Sequence, residues 1–411
     1  MLVVGGGAVG ACIAYELARA GVETVLLERE RDLALGCSAG SAGFLTVGHS
    51  VPLATPESLR LGLRWLLDPA APFQLRPRPA VLPWLARFVL SCRPGRAEAG
   101  VRISRALSAA SLARHAALAD SGLETTFEQR GILKVCETEP GLEAARAEAE
   151  AALADGVRSK ALSAAELREL EPALAPRFAG GVYYPDEAHC DGAVFTRAVG
   201  EAAAASGAQL RPGVEVLRLV REDGRIERAE TTAGPIRAGT VVLAAGVWSA
   251  RLGRSADLFL PLEGGKGYHL ELDPPEPAPR IPVLVKEARV GLTPLSGRVR
   301  FSGTLELAGL DERVDRRRLE AVLAAGLRAL PQLAGRAPRQ IWRGLRPCTP
   351  DGLPLIGRPA AVDNLVVATG HSHLGLVLAP VTGELVRELV LGQPPSHDLG
   401  PLSPNRFQPF L

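Results

Sequence analysis

Apolar residues open the chain in a run, Leu2-Val3-Val4, and stop at Gly5 to Gly7. They then recur at helical spacing, with Val9, Ile13 and Leu17 on one face of a helix expected over Ala11 to Ala20. Gly21 ends that helix and a second β-rich run, Thr24 to Leu27, follows it. The pattern predicts strand, tight turn, helix and strand, the opening of a βαβ unit.

Further along, residues 52 to 180 carry Ala-, Leu- and Arg-rich patterns broken by prolines, including Ala97 to Asp120 and Gly141 to Asp155, and read as a helical insertion. From Gly181 short β-rich runs take over: Val214 to Val220, Glu227 to Thr232 and Thr240 to Ala244. There the chain is expected to return to its first sheet. Residues 259 to 307 alternate apolar and polar positions, as in Gly267-Tyr268-His269-Leu270-Glu271-Leu272, and predict an antiparallel sheet of a second domain. A helix over Arg316 to Leu330, a Pro- and Gly-rich loop over 344 to 359, a strand Leu365 to Ala368, a glycine loop and a helix ending near Leu391 complete the reading.

Composition adds mainly exclusions. With 411 residues, 47% hydrophobic, the chain can bury a large core in two domains or one large one. Its 47 basic and 45 acidic residues leave a net charge of +2, which gives no reason to expect a nucleic-acid partner. Six cysteines at 12, 37, 92, 136, 190 and 348 form no Cys-x-x-Cys pair and read as reduced thiols. No apolar run is long enough for a membrane span, and the glycine turn follows Met1 so closely that no signal peptide is expected. The expected location is cytoplasmic. Residues 61 to 92, with Trp65, Phe73, Trp84 and Phe88 among basic residues and prolines, read as core or lid, with peripheral contact on the inner face of the cell membrane as the alternative.

Gly5-x-Gly7-x-x-Gly10 between a strand and a helix suits a dinucleotide pyrophosphate. The glycines permit a tight turn and close backbone approach, and the helix start offers free N-H groups. Glu28, at the end of the second strand, is placed to accept from ribose hydroxyls. The fingerprint is shared by NAD and FAD. Only one copy occurs, and a flavoenzyme fed by NAD(P)H commonly carries two, so a flavin here would be expected to take its electrons directly from a small molecule.

Several segments together sharpen this. Val4 to Glu28, Cys37-Ser38-Ala39-Gly40-Ser41-Ala42-Gly43, Val241 to Ser249, Gly265-Lys266-Gly267-Tyr268, Gly344 to Gly352 and Thr369 to Gly375 occur in the order found in the D-amino-acid oxidase superfamily, which the chain resembles. It is most similar to the branch of bacterial D-amino-acid dehydrogenases, D-hydroxyproline dehydrogenases and glycine oxidases. The resemblance implies mixed α/β and α+β architecture: a Rossmann-like FAD-binding domain of GR2 type, built from 1–51, 181–255 and 340–411, and a substrate domain with a mixed or antiparallel sheet, built from 52–180 and 256–339.

It also implies site residues. Non-covalent FAD would be held by Gly5, Gly7, Ala8, Val9, Gly10, Glu28, Arg29, Ser38, Ala39, Gly40, Ser41, Ala42, Gly43, Val214, Ala245, Gly246, Trp248, Gly344, Arg346, Gly370, His371, Leu374, Gly375 and Leu376. Arg346, with a planar fork matched to a carboxylate, would hold the substrate, Tyr268 would face it, and His371 would lie against the isoalloxazine. A salt bridge for Arg346 and simple packing for Tyr268 are the alternatives, and Arg343 is the neighbour most easily confused with Arg346. His371 and His373 lack a third ligand nearby, so no metal is expected. The role of His49 stays open.

The implied reaction is oxidation of D-amino acids, D-proline and hydroxy-D-proline among them, by hydride transfer from Cα to flavin N5, with electrons passing to a quinone, another acceptor or oxygen. A glycine or sarcosine oxidase, a flavin-bearing subunit of a multi-chain dehydrogenase, and a nicotinamide-dependent hydroxy-acid dehydrogenase are the alternatives. The sequence assigns no oligomeric state.

Overall fold

The computed structural model describes residues 1–65 and 71–410. Its first sheet has six strands in the order Leu355–Gly357, Leu365–Thr369, Val241–Leu243, Leu2–Val4, Val25–Glu28, Gln209–Pro212. All pair in parallel except the Leu355–Gly357 edge, with Leu2 between Val241 and Val25. Leu365–Thr369 is buried at every position because both faces of the sheet are covered. On one face lie the helices Ala8–Arg19, Gly192–Ala205 and Ala379–Leu391. Gly383 lets two of them cross closely, since a Cβ there would stand 2.8 Å from the Cys12 carbonyl oxygen. The other face packs a three-stranded antiparallel sheet of Val216–Glu222, Arg225–Thr231 and Gly234–Ile236.

The second sheet has nine strands and is mixed. Its centre is antiparallel: Glu263–Leu272, wholly buried, lies between Arg298–Leu307 and Gln340–Cys348. Helix Arg316–Ala329 covers it, with Gly326 against the Phe301 ring.

Three expectations need correction. The stretch 52–180 holds the expected helices, among them Pro94–Asp120 and Glu139–Leu153, but also the strands Phe73–Leu75, Ile132–Cys136 and Lys160–Ser163, which join the large sheet. Ile132–Cys136 is a short, fully buried apolar run, and such a run has no periodicity to separate strand from helix. Of the three β-rich runs expected to return to the first sheet, only Thr240 to Ala244 does so, as Val241–Leu243; Val214 to Val220 and Glu227 to Thr232 fall in the separate three-stranded sheet, and the first sheet takes Gln209–Pro212, which the sequence did not single out. The loop expected over 344–359 begins instead as the edge strand Gln340–Cys348. An edge leaves half of a strand's N-H groups without a ladder partner, so Pro347 costs no bond there. Gly180–Tyr184 and Gln340–Cys348 both belong to the large sheet, although the expected domain boundaries at 180/181 and 339/340 assign nearly all of them to the other domain.

Candidate cofactor and substrate site

The chain turns sharply after Leu2–Val4. Gly5 has φ +112°, and a Cβ on it would stand 2.5 Å from the Ala244 oxygen, so only glycine fits. Gly10 sits where a Cβ would overlap the Gly5 oxygen, which places it behind the turn as a packing glycine. At the start of helix Ala8–Arg19, the Ala8 N-H donates to Ser38 Oγ at 2.9 Å, while the N-H groups of Gly7 and Val9 find no acceptor among the described residues. Glu28 accepts from the Gly6 N-H at 2.6 Å and the Glu30 N-H at 2.9 Å, and burial pushes its carboxyl above the ordinary carboxylate range. Arg29 lies over the Trp248 ring, 3.7 Å from its centroid.

This turn opens into one cavity of about 1750 Å³. Pockets for a single small ligand are commonly about 300–1,000 Å³, so a dinucleotide and a small substrate fit together. Of the residues expected at the cofactor, Gly5, Gly7, Ala8, Val9, Glu28, Arg29, Ser38, Gly40, Ser41, Ala42, Val214, Ala245, Gly246, Trp248, Gly344, Arg346, His371, Leu374, Gly375 and Leu376 line it. Gly10, Ala39, Gly43 and Gly370 do not. Gly43 (φ +84°) backs onto the Cys190 oxygen and Gly370 (φ +79°) onto Thr349, so both shape the wall from behind.

The loop of small residues is held from the large sheet. Thr293 Oγ1 donates to the Ala42 oxygen at 2.6 Å, and Arg300 donates from Nη1 to the Ser41 oxygen at 2.7 Å. Glu271 holds Arg300 from the other side at 2.7 and 3.0 Å. Trp342 lies across Gly40 and Gly344, either of which would put a Cβ inside the indole, and stacks on His269 at 5.1 Å. Opposite, the segment leading into helix Ala379–Leu391 presents the N-H groups of Gly375, Leu376 and Val377, which have no acceptor among the described residues. Unpaired N-H groups at a helix start suit an electron-rich ring carbonyl.

The period of two along a strand sorts the candidate substrate residues. Arg346 pairs with Gly265 and Gly344 with Gly267, so these share one face of the sheet, with Trp342. Arg346 reaches the cavity and donates from Nη1 to the Thr304 oxygen at 2.8 Å; among the described residues no carboxylate pairs with it. Arg343 lies on the opposite face and pairs with Glu312 at 3.4 Å. Tyr268 also lies there, paired with Arg343, and this corrects its expected place. Its hydroxyl donates to Glu306 at 3.0 Å and accepts from the Asp315 N-H at 3.2 Å, inside a buried network with Lys266 and away from the cavity.

Burial lowers the His371 pKa to about 3, so its ring is neutral. The single hydroxyl hydrogen of Thr382 goes to the Leu378 oxygen at 2.8 Å, so His371 Nε2, 3.0 Å from Thr382 Oγ1, is the donor, which leaves Nδ1 as an acceptor. His373 turns exposed surface toward the cavity; burial first, then Arg346 and Arg289, holds its pKa low. His49 has a buried Nε2 without a hydrogen-bond partner among the described residues and is neutral for the same leading reason, burial. No group of residues suited to a metal occurs among those described.

Sequence reasoning missed Trp342, Arg300, Thr293, Thr304 and the part played by Gly267. Only Trp342, two residues before Gly344 in a chain with four tryptophans, carried a usable signal. Farther out the cavity wall includes Lys134 and Lys286, which share Glu148 at 2.8 and 2.5 Å. Leu63, Leu82 and Val89 are exposed on the segment 61–92; residues 66–70 and the side chain of Trp65 lie outside the described residues. No helix among the described residues is long and apolar enough to cross a membrane.

A family model described as FAD dependent oxidoreductase matches residues 1–389. A D-amino acid dehydrogenase of Chromohalobacter salexigens is 33% identical over 418 residues, covering 99% of each chain. Another from Methylobacterium nodulans is 35% identical over 406 residues, covering 96% of each. Among solved structures, glycine oxidase from Geobacillus kaustophilus superposes with a TM-score of 0.81 at 27% identity over 98% of each chain.

Proposed function

The chain belongs to the FAD dependent oxidoreductase family, and within it we propose that it is a dehydrogenase oxidising D-amino acids, with electrons leaving to an acceptor other than NAD. FAD is its cofactor. Held by the residues named below, FAD would supply a hydride acceptor for the substrate Cα, and the iminium so formed would hydrolyse with water to a 2-oxo acid and ammonium.

The observation that carries this reading is Arg346, a cation without a carboxylate partner among the described residues, facing the cavity that the dinucleotide turn opens. An unpaired guanidinium inside a cavity calls for an anion, and its planar fork matches a substrate carboxylate. We propose that Gly5, Gly7 and Ser38 hold the pyrophosphate, Glu28 the ribose, and Gly40 to Ala42 with His371 to Leu376 the flavin. The protein then contributes orientation and a dry, polar setting. Neutral His371 can only donate or accept hydrogen bonds there, and a substrate amine bound uncharged needs no general base. The full-length relatives named D-amino acid dehydrogenase support the substrate class.

D-Proline-like amines and a quinone acceptor are the finer parts of the proposal, with the exposed apolar side chains of Leu63, Leu82 and Val89 touching the bilayer from which a quinone is drawn. The likeness to glycine oxidase keeps glycine with oxygen as the second reading. We also propose the two-domain division anticipated above, with Gly180–Tyr184 and Gln340–Cys348 moved to the substrate domain. Anaerobic mixing of the flavoprotein with D- and L-amino acids tests the substrate class.

A further inference from the structure

The strand Arg298–Leu307 breaks register against Glu263–Leu272. Lys266 faces Glu306 and Tyr268 faces Gly303, so two residues, Thr304 and Leu305, stand opposite Gly267 alone. This is a β-bulge, a device that re-aims a group beside a site. Thr304 takes φ +69°, a rare conformation for a β-branched residue, and its carbonyl receives Arg346 Nη1 at 2.8 Å. Gly267 itself is not in the left-handed region, so its backbone does not demand glycine. The space above it does. A Cβ there would stand 2.5 Å from Arg346 Nη2 and 2.6 Å from Cζ, with Nη1 nearer still. The Nη1–Nη2 end of the guanidinium is therefore seated against Gly267, with Nη1 also held by the bulge carbonyl.

We propose that Gly267 is the positioning residue that sets where Arg346 presents its fork, and with it where the substrate carboxylate is held. This rests on the reading of Arg346 given above. The conflict created by a methyl group at Gly267 is with the far end of a flexible side chain, so Gly267→Ala moves the guanidinium and leaves the sheet in place. That makes it a probe of position: the charge stays, and only its location changes.

The test uses the FAD-loaded full-length protein and two ligands followed by perturbation of flavin absorbance. Propanoate has a carboxylate and no amine; 1-aminopropane has an amine and no carboxylate. Gly267→Ala is expected to weaken propanoate about ten- to hundredfold, the scale of an ångström-sized misplacement, while 1-aminopropane affinity, FAD content and Tm stay close to the parent's. The KM for an amino acid that reduces the flavin rises in parallel. Arg346→Ala is measured beside it. If Arg346→Ala weakens propanoate and Gly267→Ala does not, the positioning role is wrong and the Arg346 reading stands. Unchanged propanoate binding in Arg346→Ala overturns both. Equal loss of both ligands in Gly267→Ala marks general damage to the cavity and overturns the positioning role.

Discussion

Arg346 donates from Nη1 to the main-chain oxygen of Thr304 at 2.8 Å, and among the described residues no acidic side chain neutralises it. A cation held by a neutral carbonyl keeps its affinity for an anion, whereas a salt bridge would have consumed it.

Replacing Arg346 with Ala is therefore expected to raise KM for an amino-acid substrate about 10- to 100-fold, the scale of a lost charge-assisted hydrogen bond. The protein should stay yellow. Steady-state kinetics with the flavin spectrum of the same sample checks both.

Tyr268→Phe separates the two faces of the sheet. Its hydroxyl serves Glu306 and the Asp315 N-H, so the variant should lose about 1–2 kcal/mol of stability. Urea unfolding reads that loss. kcat and KM should stay within about twofold of the parent, because removing two hydrogen bonds outside the cavity leaves transition-state binding intact. A large rise in KM would return Tyr268 to the substrate.

Gly10→Ala places a methyl group on the Gly5 oxygen and must open the turn. The expected product is folded protein purified without FAD, measured as flavin released per chain on denaturation. Normal flavin content would contradict the role assigned to this turn.

Glu187 is buried and accepts from the N-H groups of Val47 at 3.0 Å and Gly48 at 2.6 Å; burial nevertheless pushes its pKa up to about 7. A folded pKa above the unfolded one means that the native state holds the proton more tightly. The stability this gives is complete below about pH 4.5 and is lost as pH rises through 7, about 3 kcal/mol in all. Glu187→Gln should match the parent at pH 4.5 and exceed it in urea resistance at pH 8.

Buried histidines act in the opposite direction. Burial lowers His371 and His269 to about 3 and His115 to about 4. Their neutral forms support the fold above pH 6.5, and that support is lost as pH falls from there through about 4 for His115 and about 3 for His371 and His269. Flavin fluorescence released on acidification should rise across this window.

Much of the cofactor half could be read in advance because its signals are local. Gly5, Gly7 and Gly10 fall within six residues and Glu28 ends the next strand, although the atom that excludes a Cβ belongs to the turn only at Gly10 and to distant Ala244 at Gly5. The substrate side was legible only in part. Arg346 could be named from its segment, but its separation from Arg343 needed the strand register, and Tyr268 was misplaced because one residue of register decides which face a side chain occupies. Ile132–Cys136 and Gln340–Cys348 become strands through pairing with distant segments, which no window of sequence contains. Arg300 and Thr293 hold the Ser41–Ala42 loop from some 250 residues away, and one buried arginine among many has no mark of its own.

The central claim is tested most directly by anaerobic stopped-flow mixing of the FAD-loaded protein with matched D- and L-amino acids, glycine and D-proline, followed by oxygen or a soluble quinone. D-Amino acids are expected to bleach the flavin band and their L-enantiomers to change it little, with faster recovery on adding quinone than on adding oxygen. Bleaching by L-enantiomers alone, or none by any amine, would contradict the claim.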